Sequence, residues 1–152
     1  MKILLVEDDD VKGGEIMSFL NEEYCGVIVT WKKSFHGALR ELVNFFELDL
    51  MILDMSLPNH DAAAGDLSGT EHFAGRDLLK QMKFRDIRLP TIVVTMFDSF
   101  GEGVNAVSFD ELGETMADEF PENFAGLVYY SLAQVGWRAS LGGLIDGVIG
   151  DQ

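Results

Sequence analysis

The sequence is poor in the residues that build disulfide frameworks and zinc sites. Cys25 is its single cysteine, and it contains no CxxC motif or His/Cys cluster. One thiol cannot form an internal disulfide, and structural zinc sites take several closely spaced cysteine or histidine ligands. The sequence therefore predicts neither kind of cross-link.

Basic residues are also scarce. The net charge is −15, no lysine follows Lys83, and from Leu89 to Gln152 only Arg138 stands against ten Asp and Glu residues. Nucleic-acid binding depends on a basic surface that neutralises phosphates, so we expect no nucleic-acid partner. The acidic second half either serves solubility or attracts a basic protein surface.

Long apolar runs are missing as well. No segment approaches the roughly 20 apolar residues that span a bilayer, and the start MKILLVEDD lacks the basic and apolar regions of a signal peptide. We therefore expect a cytoplasmic protein without membrane association. With 152 residues, 47% of them hydrophobic, residues 1–152 are expected to form one domain with its own core and no output domain.

What the sequence does contain is an alternation of strand-like and helix-like segments. Such an alternation favours βαβ units and a parallel sheet. The predicted strands cover residues 2–6, 26–31, 48–53, 91–95 and 126–130, and the predicted helices begin near Val11, Ser34, Gly75, Ser108 and Gln134.

Polar side chains follow three of these strands. Glu7 and Asp8 come after the first, Asp54 after the third, and Thr95 ends the fourth. Carboxyl ends of parallel strands share one crevice, where ligands bind. Each acidic residue alone could cap a helix or open a turn. Polar residues at the ends of three strands together favour a ligand-binding site.

Carboxylates that share a crevice repel each other unless a cation neutralises them. Mg²⁺, which prefers oxygen ligands, is the natural cation for such a cluster. An aspartate beside it can accept a phosphoryl group, and a hydroxyl such as that of Thr95 can donate a hydrogen bond to a phosphoryl oxygen.

The segments MKILLVEDDD, LDLMILDMSLP and LPTIVVT, at their spacing, resemble the receiver domain of two-component response regulators (CheY-like) over nearly the whole chain. The resemblance implies an α/β, flavodoxin-like (βα)5 fold with strand order 2-1-3-4-5. It implies a phosphorelay role in which a histidine kinase or phosphotransfer protein phosphorylates Asp54, with Thr95 as the switch hydroxyl. The implied Mg²⁺ ligands are Glu7, Asp8, Asp54 and the backbone carbonyl of Ser56.

The sequence departs from the receiver pattern at the end of the fifth strand, where the family carries a lysine. Tyr130 occupies that position, or Ser131 if the register slips by one residue. A hydroxyl carries no charge, so the charge-assisted contact to phosphate is expected to be lost.

Two regions are longer than the resemblance predicts. About a dozen extra residues separate Pro58 from Gly75 and extend the loop between the third strand and third helix; they form a lid, a partner-binding loop or a tolerated insertion. The region 97–123 is also extended and acidic, which suggests an unfamiliar output partner.

The leading interpretation is a stand-alone receiver, a signalling protein rather than an enzyme. The alternative is a pseudo-receiver, an interaction module that is not productively phosphorylated, as the missing lysine favours. A Mg²⁺-dependent phosphatase with Asp54 as nucleophile is a weaker alternative, because the general acid expected two residues later is Ser56.

Overall fold

Five parallel strands form the central sheet, in the order β2-β1-β3-β4-β5. They are β1 (Lys2–Val6), β2 (Ile28–Lys32), β3 (Leu50–Leu53), β4 (Thr91–Thr95) and β5 (Phe124–Tyr129). The computed structural model describes residues 1–44, 47–55, 57–58, 70–71, 74–96, 99–100 and 107–151. The sheet order confirms the predicted flavodoxin-like α/β fold.

Helices cover both faces of the sheet. They are α1 (Asp10–Glu23), α2 (Phe35–Asn44), α3 (Ala74–Phe84), α4 (Phe109–Glu119) and α5 (Gly136–Gly150). One hydrophobic core joins the sheet to α2, α3 and α4, and a second joins it to α1 and α5. The arrangement explains why the central strands β1, β3 and β4 are nearly continuous apolar runs, since these strands are covered on both faces, whereas the edge strand β2 is partly exposed.

The first strand illustrates how the two cores divide the side chains. Successive side chains of a strand point to opposite faces. Leu4 and Val6 accordingly lie in the core with α2, α3 and α4, whereas Ile3 and Leu5 lie in the core with α1 and α5. All four are at most 1% exposed, so this strand anchors both layers.

Two short antiparallel pairs lie in the regions that the sequence marks as extended. Leu57–Pro58 pairs with Thr70–Glu71, and Ser99–Phe100 pairs with Val107–Ser108. The segments 59–69 and 101–106 between them lie outside the described residues. Their roles as lid or partner loop therefore stay predictions.

The helix after the second pair begins where its capping motif predicts. The Glu111 backbone N–H donates to Ser108 Oγ at 3.2 Å, and the Ser108 N–H donates back to Glu111 Oε2 at 3.5 Å. This reciprocal pair is a capping box, which satisfies two N–H groups at the helix start. The guanidinium of Arg76 then ties α3 to α4, with Nη2 at 2.6 Å from Glu119 Oε2.

Among the described residues, the helices are too short or too polar to cross a membrane.

Candidate functional site

Three carboxylates meet at the carboxyl edge of the sheet. Strands β1 and β3 are neighbours with Val6 opposite Leu53, and the Asp54 backbone N–H donates to the Val6 carbonyl at 3.0 Å. Glu7 and Asp8 leave β1 at the same edge. One carboxylate oxygen from each of the three acidic residues lies within 4.8 Å of the others. The structure thus brings together the acidic residues that the strand ends predict.

Burial sets the electrostatics of this cluster. Glu7 is 1% exposed and Asp54 is 6% exposed, while Asp8 is the most accessible of the three. Loss of water raises the pKa of Glu7 to about 8; the charge of Asp54 adds to this, and Lys12 opposes it. Burial raises the pKa of Asp8 as well.

A buried lysine completes the cluster, and the sequence reasoning missed it. Lys12, in the first turn of α1, is 1% exposed. Its Nζ lies 2.6 Å from Glu7 Oε2 and 3.2 Å from Asp54 Oδ1. The same Nζ donates to the Val94 carbonyl of β4 at 2.7 Å. The site therefore contains an ammonium group although the fifth strand supplies none.

A signal for this lysine was present in the helical spacing. Lys12 precedes Ile16 by four residues and Phe19 by seven, so all three lie on one face of α1. That face is the buried one, since both apolar residues belong to the core with α5. A side chain at position 12 therefore faces the protein interior.

The start of α1 is fixed by a close contact with β2. A Cβ added to Gly13 would lie 2.2 Å from the Trp31 ring, so only glycine allows this approach. The Trp31 indole N–H donates to the Glu7 carbonyl at 2.8 Å, and Asp9 caps the helix by accepting from the Lys12 N–H at 2.9 Å. Together these contacts hold Glu7 and Lys12 beside each other.

The third helix presses against the strand end that carries the aspartate. A Cβ on Gly75 would lie 2.4 Å from the Asp54 carbonyl oxygen, and the Gly75 N–H donates to the Met55 carbonyl at 3.0 Å. The glycine therefore lets α3 begin directly behind Asp54.

Thr95 and Tyr130 border the same edge of the sheet. Thr95 ends β4, is fully buried, and accepts the Tyr130 N–H through its carbonyl at 2.8 Å. The Tyr130 hydroxyl donates to Glu15 Oε2 of α1 at 2.5 Å, and its ring centroid lies 5.9 Å from Lys12 Nζ. Burial and this carboxylate raise the pKa of Tyr130 well above its ordinary value, so its proton stays in place.

Position 130 thus holds a neutral side chain that binds α1, and the positively charged group beside Asp54 is Lys12. Ser131, the other residue considered for the lysine position, is half-buried and accepts the Ala133 N–H through Oγ at 3.2 Å. Ser56, whose carbonyl the resemblance implies as a metal ligand, lies outside the described residues.

The residues of the cluster fit a divalent cation. When every group is ionised, the three carboxylates and the single ammonium leave two negative charges uncompensated. Carboxylate oxygens are the ligands that Mg²⁺ prefers. Glu7, Asp8 and Asp54 are therefore the described residues that would hold the ion.

Comparison with solved structures identifies the class of fold. A response regulator receiver domain from Clostridium thermocellum superposes with a TM-score of 0.66 at 19% identity, covering 99% of this chain and 94% of that one. A CheY-like receiver from Methanospirillum hungatei superposes with a TM-score of 0.61 at 19% identity, covering 98% and 94% of the two chains. The chain therefore has the receiver fold, as its sequence motifs predict.

Sequence comparison adds individual relatives, although no protein-family model matches the chain. The Detocs response regulatory protein DtcB of Enterobacter cloacae is 27% identical over 143 residues, which are 93% of this chain and 95% of that protein. The uncharacterized protein y4jR of Sinorhizobium fredii is 28% identical over 143 residues, 93% of this chain and 94% of the relative. The chain is thus similar over most of its length to a response regulatory protein.

Proposed function

We propose that this protein is a stand-alone receiver that accepts a phosphoryl group on Asp54 in a phosphorelay. The observation that carries the proposal is the buried Asp54 carboxylate, which shares the carboxyl edge of a receiver-type sheet with two further carboxylates and an ammonium group. The similarity to a response regulatory protein supports a signalling role. The donor would be a histidine kinase or a phosphotransfer protein in the cytoplasm, and the output partner would bind the acidic region 97–123.

Each residue of the cluster has a role in this proposal. Asp54 is the nucleophile, and Glu7, Asp8 and Asp54 hold Mg²⁺. When bound, Mg²⁺ supplies positive charge beside the transferred group. The hydroxyl of Thr95, at the end of β4, donates to a phosphoryl oxygen.

A second candidate function is an interaction module that is not phosphorylated. Its supporting observation is the burial of the acceptor, since Asp54 is 6% exposed and already paired with Lys12. A phosphodonor must reach that carboxylate for the receiver proposal to hold.

Intact mass after incubation with Mg²⁺ and acetyl phosphate separates the two functions. We expect the wild type to gain one phosphoryl group and Asp54→Ala to gain none. Asp118→Ala, at an exposed position of α4, is the matched control and should behave as the wild type. A folded wild type that binds Mg²⁺ but gains no mass would favour the interaction module.

A further inference from the structure

We propose that Lys12, carried by α1, binds the phosphoryl oxygens on Asp54 and supplies the positive charge that the fifth strand lacks. This inference rests on the proposed function. The sequence predicts that the charge-assisted contact to the phosphoryl group is lost because Tyr130 is neutral, and Lys12 would restore that contact.

The contacts of the Lys12 ammonium carry the argument. Its Nζ donates a hydrogen bond to the Val94 carbonyl at 2.7 Å and forms ion pairs with Glu7 Oε2 at 2.6 Å and Asp54 Oδ1 at 3.2 Å. Removing an ammonium from water is costly, and here the Asp54 carboxylate, together with Glu7 Oε2 and the Val94 carbonyl, offsets that cost. The charge is therefore fixed beside the acceptor rather than spread over a solvated surface.

The other basic residues that form ion pairs in the described part of the chain have partners away from this cluster. Among the described ion pairs, no lysine or arginine apart from Lys12 contacts Glu7, Asp8 or Asp54. Lys33, the next candidate from β2, is exposed and pairs with Asp10 instead.

The proposed step is balanced without a further reactant. A carboxylate oxygen of Asp54 forms a bond to the phosphorus of acetyl phosphate with its own electron pair. The bond from phosphorus to the acetyl oxygen breaks, and its electron pair leaves with acetate. The carboxylate becomes an acyl phosphate, with more negative charge farther out on the side chain, and Lys12 Nζ moves from Oδ1 to a phosphoryl oxygen, keeping an ionised partner.

The test compares Lys12→Met with the wild type in a time course of intact mass with Mg²⁺ and acetyl phosphate. Methionine keeps the length of the side chain without its charge. We expect phosphorylation to slow by about ten- to a hundredfold, the effect of one lost charge-assisted contact. Lys80→Met, at an exposed position of α3, is the matched control and should keep the wild-type rate.

Two further measurements keep a folding defect from imitating this result. Calorimetric titration of Lys12→Met should show Mg²⁺ affinity equal to or above that of the wild type, because a positive charge has left the carboxylate cluster. Should Lys12→Met fail to fold, Lys12→Gln takes its place, since the glutamine amide can donate to the Val94 carbonyl without a charge. Beryllofluoride, a phosphoryl mimic, tests binding without transfer.

The outcomes separate this inference from the proposed function. A wild type that is phosphorylated, with both Lys12 variants equally fast, overturns the role of Lys12 and leaves the receiver function intact. A wild type that gains no phosphoryl group but binds beryllofluoride in a Lys12-dependent way supports Lys12 and contradicts phosphorylation by this donor. Equal affinity of the wild type and both Lys12 variants for beryllofluoride overturns the inference. A wild type that neither is phosphorylated nor binds beryllofluoride overturns it as well.

Discussion

Among single residues, the charge balance of the buried cluster determines how the site binds protons and cations. Glu7 and Asp54 face one ammonium, so the metal-free cluster is left with an excess negative charge whenever both carboxylates are ionised. Binding a proton removes the excess, which agrees with the raised pKa of Glu7. A divalent cation would remove it as well, and the two are therefore expected to compete.

The metal-free protein should become less stable as the pH rises. The pKa of Glu7 is raised from 4.5 to about 8 in the folded state, so the folded chain holds this proton more tightly than the unfolded chain. The resulting stabilisation is fully present below pH 4.5 and is lost as the pH rises to about 8. Urea unfolding should show a loss on the order of a few kcal/mol across this range.

The variant Glu7→Gln isolates this effect. Glutamine has no proton to lose, so its unfolding free energy should vary less between pH 5 and pH 8 than that of the wild type, roughly by the Glu7 contribution. Glu23→Gln, at an exposed position of α1, should keep the wild-type slope. Equal slopes for wild type and Glu7→Gln would contradict the assignment of the raised pKa to this residue.

The three carboxylates of the site could be predicted from the sequence, but Lys12 could not. Glu7, Asp8 and Asp54 follow apolar strands directly, and strand ends in a parallel sheet meet. Burying a lysine is costly, so the spacing of Lys12 from Ile16 does not by itself predict a buried side chain. The partner of Tyr130 was also hidden, because Glu15 is 115 residues away in the chain.

At the scale of elements, the contact between α1 and β2 decides where the site groups lie. Gly13→Ala would place a methyl group 2.2 Å from the Trp31 ring, and a shift of either element would disturb the Trp31–Glu7 hydrogen bond. We expect a loss of about 1–3 kcal/mol in unfolding free energy, the usual cost of overpacking. Chemical denaturation measures it.

The neighbouring glycine provides the control for that experiment. Gly14 is in the same helix, and a Cβ there would meet no atom within 4 Å. Gly14→Ala should therefore leave stability unchanged or raise it by up to about 1 kcal/mol through helix propensity. A Gly13→Ala variant as stable as Gly14→Ala would show that the tryptophan moves aside without cost.

The elements themselves were predictable because the sheet is buried on both faces. Apolar runs bounded by acidic residues or proline locate the strands, and the Ser108 capping box locates the start of α4. The predicted and observed bounds of β5 differ at a glycine. β5 begins at Phe124 rather than Gly126, since its pairing with β4 continues across the glycine.

At the scale of the whole molecule, folding and metal binding should be linked. Only the folded chain brings carboxylates from two strands that are far apart in sequence within 4.8 Å of one another, so we expect Mg²⁺ to bind the native state. At a Mg²⁺ concentration of about 100 times Kd, this adds about 2.7 kcal/mol to the unfolding free energy. The melting temperature should rise with Mg²⁺ concentration accordingly.

Substitution at the accessible carboxylate checks that linkage. Asp8→Asn removes one charged ligand and should shrink the Mg²⁺-dependent rise in melting temperature, while Asp118→Asn on α4 should retain it. A full rise in Asp8→Asn would place the ion elsewhere.

The position of Lys12 bears on which parts of the chain can change in sequence without altering the site. Glu7, Asp8 and Lys12 fall within six consecutive residues, and Asp54 directly follows the adjacent strand β3. The charged side chains that contact or neighbour Asp54 thus come from one short N-terminal segment. On the proposed role of Lys12, strand β5 and helix α5 need not supply a cation, so we expect substitutions that change their shape and charge to leave the chemistry of the site unaltered.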